Sequence, residues 1–73
     1  MRQFSTVFEF IDKTWIANCE ELRLTLEGAS YDMLIERFKI AIQDIAEVEL
    51  GYKGDIKIVI SMRDRIEEIR AAS

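Results

Sequence analysis

The chain predicts an α+β domain with the layout βββαβ: a four-stranded sheet in the order 3-2-1-4, with one helix packed on one face. Three observations carry this. Residues 3–27 hold three runs whose apolar residues alternate with a period of two. A helical spacing of apolar residues follows Ser30 and stops before Gly51. A last alternating run, rich in β-branched residues, begins at Ile56. A period of two marks a half-buried strand and a period of 3.6 an amphipathic helix.

In the first strand, Gln3–Ile11, the residues Phe4, Thr6, Phe8 and Phe10 point one way, and Ser5, Val7, Glu9 and Ile11 the other. Asp12 and Lys13 make the turn into the second strand, Thr14–Cys19. A hairpin loop of two or four residues there sets Phe10 opposite Trp15 and Phe8 opposite Ala17, so that large and small side chains meet on one face. A turn at Glu20–Glu21 leads to the third strand, Leu22–Glu27, pairing Cys19 with Leu22, Ala17 with Leu24 and Trp15 with Leu26. All of these fall on the phenylalanine face, and a slip of one residue would turn every side chain over.

Ser30 is the expected helix N-cap, with Asp32 in the first turn complementing the helix dipole. Leu34, Phe38, Ala41, Ile42, Ile45 and Val48 share one arc, while Glu36, Lys39, Gln43 and Glu47 share the opposite one. Met33 and Ile40 lie on a flank, where they would cover a sheet edge or join an interface. Gly51 suits the left-handed residue that ends a helix. Ile56, Ile58, Ile60 and Met62 then form one face of the final strand and Lys57, Val59, Ser61 and Arg63 the other. Reached through a helix, this strand is expected to run parallel to the first by a right-handed crossover. The domain is expected to span residues 1–63. Residues 64–73 are expected to be a tail, a short helix or frayed, because Ile66 and Ile69 stand three apart among charges.

At 73 residues the chain makes one domain. A chain of this size hides about 60% of its unfolded surface, and its core supplies roughly 3–5 kcal/mol. A content of 49% hydrophobic residues, with four Phe, two Tyr and one Trp, is enough to fold. A small sheet covered on one face invites help from a partner or a second copy. The formal charge is −4, from 10 basic and 14 acidic residues, so phosphate backbones are unsuitable partners and a basic protein surface suits. No apolar run approaches the ~20 residues of a membrane span. No continuous apolar signal core opens the chain. One cysteine forms no internal disulfide, and the cytoplasm is the expected compartment.

Candidate chemistry is sparse. Cys19 lacks a base to make thiolate, since the chain has no histidine, and its register places it in the core. Glu9, Glu27 and Asp55 lie at or near strands, but two-metal catalysis needs carboxylates converging on one pocket. Glu20–Glu21 and Glu67–Glu68 are read as solvated pairs. No enzymatic activity, metal or cofactor is therefore expected. Trp15 reads as core, paired with Phe10 and Leu26, with an interface anchor as the other reading. The informative surface is the sheet face away from the helix. Val7, Ile11, Ile16 and Val59 are apolar there, among Ser5, Glu9, Asn18, Thr25, Lys57 and Ser61, and exposed apolar patches mark contacts. Val7, Ile11, Ile16, Thr25 and Val59 are accordingly the expected protein interface.

Trp15-Ile16-Ala17, Leu24-Thr25-Leu26-Glu27-Gly28, Ser30, Leu34-Ile35-Glu36-Arg37-Phe38-Lys39 and the strand from Asp55 to Ile60 together resemble the HicB-like antitoxins. In particular, the chain resembles a short HicB-related family of unknown function. The resemblance covers nearly the whole chain. Many such sequences carry a Pro-Gly pair before the third strand, where Glu21-Leu22-Arg23 stand here. The resemblance implies a partial ribonuclease-H-like fold. It also implies a role in a toxin–antitoxin system: binding a small basic HicA-like ribonuclease toxin and neutralising it by occlusion. No helix-turn-helix or ribbon-helix-helix module follows the last strand, so operator binding is not expected. The alternative expectation is a stand-alone structural or regulatory homo-oligomer, most simply a dimer, with no toxin partner.

Overall fold

The structure, a computed structural model, describes residues 1–71. The elements follow as β1 (Arg2–Ile11), β2 (Thr14–Cys19), β3 (Leu24–Gly28), α1 (Tyr31–Leu50), β4 (Ile56–Ser61) and β5 (Ile66–Ala71). Among the described residues they make one mixed five-stranded sheet in the order β3-β2-β1-β4-β5, with α1 on one face.

The β1–β2 hairpin has the expected register, with Phe10 opposite Trp15 and Phe8 opposite Ala17. Its two-residue turn holds Asp12 at φ 50° and Lys13 at φ 63°. The β2–β3 register is displaced by two residues from expectation: Cys19 faces Leu24, Ala17 faces Leu26 and Trp15 faces Gly28. The cause is local. Glu20–Leu22 tightens into a 3₁₀ turn closed by Arg23 in the left-handed region, so β3 starts at Leu24 rather than Leu22. An even displacement keeps each side chain on its face, and the core is conserved.

Ser30 caps α1 by accepting from the Met33 N–H at 3.4 Å. Gly51 ends it at φ 66°, donating to the carbonyls of Ala46 and Glu47. Leu34, Phe38, Ile42 and Ala46 are buried, whereas Val48 is 79% exposed. This corrects the expected arc. Steps of four advance about 40° around a helix, so the contact line drifts along its length, bringing Ala46 inward and turning Val48 out.

β4 lies parallel to β1, from Arg2 beside Ile56 to Val7 beside Ser61. The Tyr52 hydroxyl locks the crossover loop. It donates to the Asp55 carbonyl at 2.7 Å and accepts from the Arg2 N–H at 3.3 Å. Gly54 passes so close to this ring that a Cβ would lie 2.5 Å from the hydroxyl.

The expected tail is the principal correction. Ile66–Ala71 is a fifth strand, antiparallel to β4, with Ile58 opposite Ile69 and Ile60 opposite Glu67. The domain therefore continues beyond residue 63, and only residues 72 and 73 of the expected tail lie outside the described residues. The core joins Phe4, Phe8, Leu24, Leu34, Phe38 and Ile42 to Ile56, Ile58 and Ile60, with Trp15, Leu26 and Ile69 packed at its margin. Phe10 departs from expectation at 56% exposure, because it lies at the hairpin tip, beyond the end of α1.

Candidate protein-interaction face

The side of the sheet opposite α1 carries the candidate site. Register places Val7, Asn18 and Thr25 in one cross-strand row, with Glu9, Ile16 and Glu27 in the next. Val59 lies between Ser5 and Glu68, and Ile11 faces Thr14 at the hairpin end. The five expected interface residues, Val7, Ile11, Ile16, Thr25 and Val59, therefore share one face spread over four strands. Val7 and Ile11 are exposed, Ile16 and Val59 half-buried, and Thr25 exposed. Two polar contacts stiffen the surface. The Thr25 hydroxyl donates to Asn18 Oδ1 at 2.9 Å, and Lys57 Nζ stands 3.1 Å from Glu68 Oε1. Ile66, in the segment expected to be tail, joins this face beside Ser61 and is 71% exposed. Its spacing from Ile69 concealed it, since the two residues project to opposite sides of β5.

A groove of about 800 Å³ opens where this face meets the hairpin end. β4 accompanies β1 only as far as Val7, so Phe8–Ile11 have no strand on that side. The loop Met62–Arg65 forms the other wall. Aromatic packing builds its floor: the Phe10 and Trp15 rings lie 5.1 Å apart, and Trp15 lies 4.9 Å from Tyr31. Tyr31 in turn meets the edge of Phe8 at 5.5 Å. Trp15 is half-buried, so it belongs both to the core margin and to this groove. The Tyr31 hydroxyl donates to Glu67 Oε2 at 3.0 Å. Burial, assisted by the adjacent carboxylate, pushes its pKa up to about 12.

The candidate chemical groups are scattered. Cys19 is fully buried, and burial pushes its thiol pKa up, away from the reactive thiolate. Glu9 and Glu27 flank Ile16 near the hairpin end of the sheet. Asp55 lies at the opposite end, its carbonyl accepting from the Arg2 N–H at 3.3 Å. Arg2 and Glu9 are separated by seven steps of extended chain, or about 23 Å. Among the described residues no cluster of three or more His, Cys, Asp or Glu side chains could hold a metal ion. Nor is any helix among them long and apolar enough to cross a membrane.

No curated protein and no solved structure matches the chain. A family model does match, over residues 12–67, from the hairpin turn to the start of β5. The chain therefore belongs to the family described as "Domain of unknown function (DUF1902)".

Proposed function

We propose that this chain is a non-enzymatic protein-binding domain, similar to the HicB-type antitoxins, that covers a small basic partner with its open sheet face. The observation that carries the reading is the set of exposed Val7 and Ile11 with half-buried Ile16 on the sheet face that α1 leaves uncovered, while Phe10 is exposed beside them on the other side of the hairpin end. Contiguous exposed apolar groups of this kind favour contact with another protein. The formal charge of −4 favours a basic partner and speeds its encounter. Occlusion of a HicA-like ribonuclease would need only a complementary surface, in keeping with the absence of histidine and the burial of Cys19. A cytoplasmic setting suits a lone free thiol.

The second reading is a structural or regulatory homo-oligomer without a toxin. The outer edge of β5 favours it, since among the described residues β5 is the last strand of the sheet on that side.

Tagged protein recovered from its native cells tests the first reading. The wild type is expected to retain a small basic protein in stoichiometric amount, and the double variant Val7→Lys/Ile16→Lys to lose it. Recovery of homo-oligomer alone supports the second reading. Retention of the basic protein by the double variant places the contact elsewhere and overturns the proposal for this face.

A further inference from the structure

The two edges of the sheet differ. At β3 the Glu27 carbonyl accepts from Arg37 Nη1 at 3.0 Å, so a side chain of α1 takes up one backbone acceptor of that strand. β5 lies at the other edge, where an exposed strand presents unpaired backbone donors and acceptors to any chain that fits them. Edge strands are commonly protected by charge, and β5 carries Glu67, Glu68 and Arg70. Glu67 does not serve this purpose, because Tyr31 and Arg65 already hold its carboxylate on the helix side. Glu68 and Arg70 remain, both on the open face.

We propose that β5 is a dimerisation edge, at which two copies of this chain pair antiparallel about Ile69 into one continuous sheet with both helices on the same side. The register follows from the sequence of the strand. In such a pair a two-fold axis normal to the sheet requires opposed residues to share a face, so the centre must fall on a residue. Centring on Ile69 sets Glu68 opposite Arg70 of the second copy, twice, and Ile69 opposite Ile69. Centring on Glu67, Glu68 or Arg70 opposes each of these to its own copy. Opposite charges directly across a ladder stabilise it and like charges weaken it, so the Ile69 register is favoured.

The intrachain surroundings point the same way. Arg70 lies directly opposite Lys57 in the β4–β5 ladder, a like-charged neighbour. Lys57 is meanwhile paired with Glu68. A carboxylate from a second copy would supply the counter-charge that Arg70 lacks in its own ladder position. The pairing uses the strand edge rather than the apolar face, so it stands or falls apart from the proposed partner site.

Sedimentation equilibrium of the full chain across a dilution series tests it. The wild type is expected to approach twice the 8.5 kDa chain mass as concentration rises. Arg70→Glu opposes two carboxylates at each of the two symmetric positions and is expected to weaken self-association by about tenfold or more. The same change places a carboxylate opposite Lys57, so the thermal transition of the dilute single chain should not fall. The swap Glu68→Arg/Arg70→Glu restores both the interchain and the intrachain pairs and should recover the dimer. Ile16→Lys should leave it intact. A single-chain mass at every concentration overturns the proposal, as does a dimer indifferent to Arg70→Glu. A charge swap that folds but does not recover the dimer overturns the register.

Discussion

At the scale of single residues, Tyr31 connects the core, the groove and the edge strand. Its ring packs against Phe8 and Trp15, and its hydroxyl reaches Glu67 on β5. The folded chain holds the phenolic proton up to about pH 12, whereas an unfolded tyrosine releases it near pH 10. Between these values the unfolded chain has lost the proton and the folded chain still carries it. Alkali therefore drives unfolding. The contribution of Tyr31 is fully present below about pH 10 and disappears as the pH rises through about 12. Urea midpoints measured from pH 9 upward should fall across this window, and Tyr31→Phe should flatten the decline. An equal decline in Tyr31→Phe would assign the effect to other groups. Cys19 follows the opposite logic to a functional thiol. Burial first, and the nearby Glu21 charge after it, raise its pKa and keep it a thiol, so it serves the core.

At the scale of elements, turns decided what could be read from the sequence. The alternation in β1 and β4 was plain because every buried position is large and apolar or, at Thr6, small enough to pack. The parallel placement of β4 followed from the intervening helix, and the caps at Ser30 and Gly51 from residue chemistry. The β2–β3 register was not legible, because the turn that sets it uses Arg23 at φ 53° rather than a Gly or Asn that would mark it. β5 was hidden because the inward-facing position between Ile60 and Tyr31 is a glutamate. Glu67 is accommodated there only through tertiary partners that no local pattern reveals. The open-face residues were legible from period two alone. The groove was not, since it depends on β4 ending before β1 does. The β1–β2 turn yields a direct test. Both central residues have positive φ, a conformation that favours glycine, and Lys13 has a side chain. Lys13→Gly is expected to stabilise the domain by roughly 0.5–1 kcal/mol, raising the urea midpoint with an unchanged slope. A lowered midpoint would contradict this account of the turn.

At the scale of the whole molecule, one helix cannot cover both sides of five strands. The side it covers is dry, from Phe4 through Ile60, and the side it leaves open mixes Val7, Ile11 and Ile16 with charge and hydroxyls. Fold alone does not assign function. Here the functional reading rests on that surface, the net charge and the family likeness, while the β5 edge provides a separate route to self-association. A domain of this size gains little stability from its core, so a partner over the open face would also stabilise the fold by mass action.

The central claim is that the open sheet face is the partner-binding surface. Methyl-labelled protein added to lysate of its native cells tests it most directly, read as chemical-shift changes residue by residue. The account predicts shifts at the methyls of Val7, Ile11, Ile16 and Val59, with those of Met33 and Ile40 on the outer side of α1 unmoved. Shifts confined to Met33 and Ile40, or none at the four sheet methyls, would contradict it.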